Sequence, residues 1–175
     1  MTSFQGYIQV YTGEGKGKTT AAFGLALRCL GAGYNVLICQ FLKKGDFSEI
    51  KAIRECFGTR AELLQFGSGR FVRGKPSGAD RERVQKGLEQ IKALVSQSNY
   101  RLVVLDEINV ALSLGLADVQ DVLKLIDSCG AGQEWVLTGR GAPTELIEAA
   151  DLVTEMRSMK HYYEKGVKAR VGIEK

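Results

Sequence analysis

A glycine-rich turn between a predicted strand and a predicted helix most limits what this chain can fold into. An apolar segment, residues 6–11, leads into T-G-E-G-K-G-K-T-T at residues 12–20, and a helix-periodic segment follows to residue 30. This order matches the phosphate-binding P-loop, G-x-x-x-x-G-K-[ST], in its usual strand-to-helix setting. Residues 36–41 predict a second buried strand. The chain therefore starts β–loop–α–β, which favours a parallel sheet.

The loop has the residues needed to hold phosphate. Its glycines allow successive backbone N–H groups to turn inward, and the following helix N-terminus adds partial positive charge. Lys18 is expected to reach the terminal phosphates. Thr12 stands where the motif has its first glycine, and Lys16 adds a second cation. A glycine-rich turn without a ligand is the alternative, but the flanking strand and helix favour binding of a nucleoside triphosphate. The predicted binding residues are Thr12, Gly13, Glu14, Gly15, Lys16, Gly17, Lys18, Thr19 and Thr20.

A second motif supports the first. The apolar segment 102–105 ends in Asp106 and Glu107. P-loop proteins hold Mg²⁺ with the loop hydroxyl and an acidic residue at the end of a neighbouring strand. We therefore predict that Thr19, Asp106 and Glu107 bind the metal. In an ATPase, the two adjacent acids could divide the work, one near the metal and the other as a base for water.

Arginines provide further candidates for phosphate binding. Arg140 follows the predicted strand 134–138, and ligands of parallel sheets bind at the carboxyl ends of the strands. Its guanidinium could therefore contact phosphate oxygens. The alternative is an arginine that caps a loop or forms a surface ion pair. Arg28, late in the first helix, is a weaker candidate for nucleotide binding.

The remaining patterns predict one doubly wound α/β domain, residues 1–175, with a mainly parallel sheet of the RecA-like P-loop NTPase type. A loop rich in Gly, Arg, Lys and Pro is expected over residues 67–79. The tail after residue 152 is expected to contain at least one more strand. The other predicted elements are a strand at 62–66, a helix at 80–97, helices at about 107–114 and 118–128, and a short helix at 144–150.

Composition excludes several classes of protein. The 175 residues are 45% hydrophobic and 25% charged, which is typical of a globular protein rather than a disordered one. No apolar run approaches the roughly 18 residues of a membrane span, and no signal peptide is visible, so a cytoplasmic protein without membrane contact is expected. The net charge of +4 is mild for a nucleic-acid binder. Four scattered cysteines and a single histidine do not form a zinc motif.

Taken together, these motifs resemble the P-loop corrinoid adenosyltransferases. The resemblance covers essentially the whole chain in the family's order, which makes it far more specific than a P-loop alone. Its segments are the loop and helix start at residues 11–22, G-L-A at 24–26, Q-F-L-K at 40–43, V-L-D-E at 104–107, L-T-G-R-G-A at 137–142, A-D-L-V-T-E-M at 150–156, K-H at 160–161, G-V-K-A at 166–169 and G-I-E at 172–174.

The resemblance implies transfer of the 5′-deoxyadenosyl group of ATP to the Co(I) of a reduced corrinoid, with release of triphosphate. The corrinoid would be cob(I)alamin or cob(I)yrinic acid a,c-diamide, and the reaction would serve cobalamin synthesis or salvage. Mg²⁺, a reductase that supplies Co(I), a homodimer and a cytoplasmic location are implied as well. The sequence does not identify which corrinoid is the natural acceptor.

The predicted residues suit this chemistry. Co(I) is a very strong nucleophile, so the reaction needs positioning and a stabilised leaving group rather than a protein base. Lys16, Lys18 and Arg140 are the predicted catalytic residues because they would hold the departing triphosphate. The resemblance also implies that the nucleotide lies in the opposite direction along the loop, with its C5′ atom facing the corrinoid. The altered loop sequence is consistent with this opposite direction of the nucleotide.

The corrinoid contacts depart from the family pattern. Many members carry G-x-G-F-x-W before the long helix, whereas Arg70 and Val72 take the aromatic positions here. Either Phe71 fills the role after a shift of one residue, or the lower axial ligand is handled differently; a loop aromatic without ligand is a further alternative. His161 is expected either near the nucleotide or as a structural histidine.

Two other functions fit parts of the pattern. An ATPase that handles nucleic acid would release orthophosphate and respond to DNA or RNA. A non-catalytic carrier would bind nucleotide and corrinoid without forming a Co–C bond. The order of the motifs favours the transferase over both.

Overall fold

The protein folds around a six-stranded sheet in which every pair of neighbouring strands is parallel. The structure, a computed structural model, describes residues 5–69, 76–129 and 132–174. Its strands are β1 (Ile8–Thr12), β2 (Asn35–Gln40), β3 (Ala61–Gln65), β4 (Tyr100–Asp106), β5 (Glu134–Thr138) and β6 (Leu152–Glu155), and its α-helices are α1 (Lys18–Gly31), α2 (Ser48–Phe57), α3 (Gly78–Gln97), α4 (Ile108–Ser113), α5 (Val119–Ser128) and α6 (Thr144–Ala149). Single turns of 3₁₀ helix occur at Gly58–Arg60 and Tyr162–Lys165.

Helices cover both faces of the sheet because the central strands are apolar on both sides. In β4, Val103 and Leu105 belong to one buried cluster, whereas Leu102 and Val104 belong to the other. Successive side chains of a strand point to opposite faces, so an uninterrupted apolar run buries both of them. The predicted doubly wound α/β class with a parallel sheet is confirmed.

The strand order is β3-β2-β4-β5-β1-β6. It places β1, which carries the P-loop, between β5 and the edge strand β6. All four residues of β6 are exposed. Since the strands are parallel, the segments that follow β1, β4, β5 and β6 all leave the same edge of the sheet. The predicted phosphate and metal residues therefore meet there.

Most predicted helices and strands begin and end within two residues of the observed ones, and one helix was not predicted. Helix α2 was not predicted, because only Ile50 and Ile53 of its ten residues are buried and its other positions are polar or half-exposed. Helix α3 starts at Gly78, two residues before the prediction, because Ser77 caps it: the Ser77 hydroxyl accepts from the Asp80 N–H, and the Asp80 carboxylate accepts from the Ser77 N–H. Within the described residues, no helix is long and apolar enough to cross a membrane.

Candidate functional site

The P-loop between β1 and α1 encloses its own lysine. Lys18 is the first residue of α1 and is only 8% exposed. Its Nζ donates to the carbonyl oxygens of Gly13 (2.6 Å) and Gly15 (2.7 Å). Burial, followed by the nearby Arg140 guanidinium, lowers the pKa of Lys18. The ammonium group therefore lies against the concave side of the loop, where phosphate oxygens can replace the carbonyls as its partners.

The segment after β6 packs directly on the loop. The Gly15 N–H donates to the Met156 carbonyl oxygen at 2.6 Å, and the Met156 N–H donates to the Thr12 carbonyl oxygen at 2.9 Å. A Cβ atom at Gly13 would lie 2.5 Å from the Met156 carbonyl oxygen, and one at Gly15 would lie 2.7 Å from it. Lys16 Nζ also donates to the Ile173 carbonyl oxygen at 3.2 Å. The close approach of the C-terminal segment therefore requires glycine at positions 13 and 15.

Asp106 is the buried centre of the site. It ends β4, is 0% exposed and accepts hydrogen bonds from four side chains. Thr19 Oγ1 (2.8 Å) and Thr138 Oγ1 (2.7 Å) donate to Oδ1. Gln40 Nε2 (3.1 Å) and Lys43 Nζ (3.0 Å) donate to Oδ2. The carboxylate at the end of β4 is therefore fixed by groups on or just after β2, on β5 and on helix α1.

A lysine that was not predicted lies among the predicted metal ligands. Lys43 Nζ is 3.0 Å from Asp106 Oδ2, 3.3 Å from Glu107 Oε1 and 3.1 Å from Thr19 Oγ1. Burial alone would lower the pKa of Lys43, but the two carboxylates outweigh it and the pKa is raised. Hydroxyl and carboxylate oxygens are the donors that Mg²⁺ prefers, so this set of residues fits the predicted metal.

Two non-glycine residues adopt left-handed backbone conformations at this edge. Leu42, with φ 60°, comes just before Lys43, and Glu107, with φ 64°, comes just after Asp106. Such conformations cost on the order of 1–3 kcal/mol and persist where the surrounding structure enforces them, often at functional sites. Here they turn the chain immediately before Lys43 and immediately after Asp106, so that both side chains lie within contact distance.

Residues after β4 and β5 connect the groups around Asp106 to the P-loop. The buried Asn109 donates through Nδ2 to the carbonyl oxygens of Gly139 (3.3 Å) and Tyr11 (3.5 Å). Thr12 Oγ1 accepts from the Ala142 N–H at 3.3 Å. The threonine that replaces the first motif glycine therefore ties the loop to the segment after β5. Only the position of Asn109 three residues after Asp106 could have indicated its role.

We expect the Thr138 hydroxyl to stabilise the whole cluster. It donates to Asp106 Oδ1 and accepts from the Glu107 N–H at 3.0 Å, so Thr138→Val removes both bonds while keeping the shape of the side chain. The free energy of unfolding, measured by urea denaturation, should fall by about 1–3 kcal/mol. Thr138→Ser, which keeps the hydroxyl, should lose about 1 kcal/mol or less. Equal stability of the valine variant and the wild type would contradict this account.

The other predicted residues lie at varying distances from the cluster. Arg140 lies beside the P-loop, as its position after β5 predicted, with its Nη1 3.1 Å from Glu14 Oε2. Both side chains are mostly exposed, so this ion pair contributes little to stability. Thr20 is exposed in the first turn of α1. Arg28 is exposed ten residues beyond Lys18, about 15 Å further along the helix, and is not brought to the loop.

His161 and Phe71 are the remaining candidate residues. His161 precedes the 3₁₀ turn Tyr162–Lys165, and its Nδ1 accepts from the Tyr163 N–H at 3.0 Å. This bond gives the histidine a structural role, and its predicted place near the nucleotide stays a prediction. Phe71, with Arg70 and Val72, lies outside the described residues.

Comparison with known proteins gives consistent matches over the whole chain. A family model described as ATP:corrinoid adenosyltransferase BtuR/CobO/CobP matches residues 4–174. A corrinoid adenosyltransferase of Sinorhizobium sp. is 37% identical over 99% of this chain and 82% of its own length. Those of Pseudomonas aeruginosa and Escherichia coli K12 are 36% and 32% identical over 97% of this chain, and over 84% and 86% of their own lengths.

A solved structure is similar in fold alone. The flagellar accessory protein FlaH from Methanocaldococcus jannaschii superposes with a TM-score of 0.61 at 12% sequence identity. The match covers 87% of this chain and 72% of FlaH. The similarity shows a shared fold, in agreement with the predicted doubly wound α/β architecture.

Proposed function

Because the chain belongs to the ATP:corrinoid adenosyltransferase family BtuR/CobO/CobP, we propose that it transfers the 5′-deoxyadenosyl group of ATP to the Co(I) of a reduced corrinoid. The family match over residues 4–174 is the observation that carries this conclusion. ATP and the corrinoid are the substrates. The products are the adenosylated corrinoid and triphosphate, and the reaction belongs to cobalamin synthesis or salvage.

The P-loop residues are proposed to hold the triphosphate while the C5′–O bond breaks. Co(I) supplies the electron pair of the new Co–C bond, and the bonding pair of C5′–O leaves with the triphosphate. Lys18 is proposed to neutralise part of this charge, since its buried ammonium faces the loop interior. Lys16 and Arg140 are exposed beside the loop and are proposed to add charge from outside. Cations positioned in this way stabilise the departing triphosphate more than the less negatively charged phosphate chain of ATP.

A divalent cation is part of the same proposal. Thr19, Asp106 and Glu107 would hold Mg²⁺, which would neutralise further phosphate charge when bound. Thr138 and Gln40 keep the Asp106 carboxylate oriented without competing as cations. Support comes from the convergence of hydroxyl and carboxylate oxygens within about 3 Å of one ammonium, at the edge of the sheet where the P-loop lies.

The same contacts argue against hydrolysis of ATP as the main reaction. A base for water needs a carboxylate that is free to accept a proton. The side chains of Thr19, Thr138 and Gln40 already donate to Asp106, and Glu107 is proposed as a ligand of the metal, so neither carboxylate is free to act as a base. Transfer to Co(I) needs no such base, because the nucleophile carries its own electron pair.

The oligomeric state, the location and the source of Co(I) are proposed from the family. We propose a homodimer in the cytoplasm, supplied with Co(I) by a separate reductase and acting without nucleic acid or membrane contact. The four cysteines are all free thiols, which supports a reducing compartment.

The function is tested by anaerobic incubation with ATP, Mg²⁺ and chemically reduced cob(I)alamin. We expect the light-sensitive spectrum of adenosylcobalamin and one triphosphate for each Co–C bond. Removal of Mg²⁺ with a chelator should suppress the reaction, and added DNA or RNA should not change it. An unchanged corrin spectrum together with orthophosphate would overturn the transferase assignment in favour of an ATPase. Tight binding of both substrates without a Co–C bond would indicate a carrier.

A further inference from the structure

Lys43 occupies the position that the metal needs. Its ammonium group contacts all three predicted ligands, with Nζ–O distances between 3.0 and 3.3 Å. A divalent cation bound to these oxygens would be within a few ångströms of the ammonium, where two positive charges repel strongly. The two cations therefore disfavour each other at these oxygen atoms.

The charges around Lys43 explain why its ammonium group lies among these oxygen atoms. Asp106 and Glu107 are the acidic groups that face it, and Lys18 is the other cation close enough to interact with it. Lys43 thus offsets one of two neighbouring negative charges. The Lys43 side chain is 28% exposed, whereas that of Asp106 is fully buried. The lysine can consequently turn away toward solvent or a phosphate, while the carboxylate stays in place.

The remaining contacts keep the ligands arranged after the lysine has left. Thr138 and Gln40 donate to the two different oxygens of Asp106, and neither carries a charge. Their hydrogen bonds orient the carboxylate without repelling a metal. The cluster therefore combines a fixed carboxylate with one removable cation.

We propose that Lys43 competes with the divalent cation for the oxygens of Thr19, Asp106 and Glu107, so that the metal enters only together with the nucleotide. The triphosphate supplies the negative charge that allows both cations to remain, Lys43 turning to the phosphates as the metal takes its place. This inference rests on the proposed metal site. It assigns Lys43 a positioning role that makes metal binding depend on the presence of ATP.

The test measures Mn²⁺ binding by electron paramagnetic resonance in the absence of nucleotide. Wild-type protein should bind Mn²⁺ weakly, and Lys43→Met should bind it at least about tenfold more tightly, because a neighbouring positive charge has been removed. Lys44→Met is the matched control, since it removes an exposed lysine adjacent in sequence. Its Mn²⁺ affinity should stay within about twofold of wild type. Equal affinities of wild type and Lys43→Met would overturn the inference.

A second arm separates this inference from the metal site itself. With ATP present and no corrinoid, wild-type protein should bind Mn²⁺ in excess of that held by ATP alone, and Asp106→Asn should lose this binding. If this excess Mn²⁺ binding is absent in the wild-type protein, the proposed metal site is wrong. If the excess binding is present, but Lys43→Met and the wild type bind Mn²⁺ equally in the absence of ATP, only the role of Lys43 is wrong. Lys43→Arg keeps the cation and should exclude Mn²⁺ as the wild type does.

A measurement on the unaltered protein covers the case in which Lys43→Met does not fold. The ¹⁵Nζ signal of Lys43 in selectively labelled protein should shift when Mg²⁺ and ATP are added together. Mg²⁺ alone should leave it unchanged. A shift with Mg²⁺ alone, or no shift with both, would overturn the proposal.

Discussion

Replacing Lys18 by alanine should abolish adenosyl transfer, with a loss of at least about 10²–10³-fold in turnover. Lys18 is the buried cation of the loop interior, and its Nζ is held by the Gly13 and Gly15 carbonyl oxygens. Without it, the leaving triphosphate loses its closest charged partner, and those carbonyl oxygens lose their donor. The measurement is the rate of adenosylcobalamin formation under anaerobic conditions, combined with ATP affinity from calorimetry.

The variant is expected to fold, so the loss should reflect chemistry. Burial lowers the pKa of Lys18, so the folded protein disfavours the charged form of this side chain. Lys16→Ala should have a smaller effect, because Lys16 is exposed and contacts the Ile173 carbonyl oxygen. Lys51→Ala, at an exposed position of α2, is the control and should retain full activity. Turnover of Lys18→Ala within tenfold of wild type would contradict the proposed role.

Asp106→Asn is the second substitution with a large expected effect. Thr19, Gln40, Lys43 and Thr138 all donate to this carboxylate, so an amide would place an N–H₂ group against at least one donor. It would also remove a negative charge from the proposed metal site. We expect turnover to fall about 10²–10³-fold, and the unfolding free energy to fall by about 1–3 kcal/mol. Kinetics at varied Mg²⁺ concentration and urea denaturation measure the two effects.

Glu107→Gln distinguishes the two acids. Glu107 is only partly buried, and its contact with Lys43 is longer, at 3.3 Å. Its loss should raise the Mg²⁺ concentration needed for half-maximal rate and leave the stability nearly unchanged. If Glu107→Gln were the more damaging substitution, the larger effect expected here for Asp106 would be wrong. An unaltered Mg²⁺ requirement in Asp106→Asn would likewise contradict it.

The fold was predictable wherever apolar periodicity was strong. The continuous apolar run in β4 and the repeated pattern of α3 each indicate one element type, and both were placed within two residues. Helix α2 gave no comparable signal, since two buried isoleucines three residues apart do not establish a helical repeat. Helix ends depended on local capping, as at Ser77, rather than on the periodic pattern.

The site was predictable only where a motif fixes both residue type and spacing. The P-loop and the acidic pair after β4 are such motifs, and the structure brings Thr19 and Asp106 within 2.8 Å. The roles of Lys43, Gln40 and Thr138 depend on which strands become neighbours in the sheet, which no local spacing reveals. The structure also adds the contact between Gly15 and Met156, two residues 141 positions apart in sequence.

The place of β1 in the sheet has a consequence for synthesis on the ribosome. Strand β1 emerges first, yet its neighbours are β5 and β6, with Ile8 beside Trp135 and Thr12 beside Glu155. Strands β2, β3 and β4 can pair with one another well before that. A nascent chain released before β5 would therefore carry a complete glycine motif with no sheet to hold it. Assembly of the P-loop on a complete sheet therefore has to wait for β5 and β6, although the glycine motif is translated before both of them.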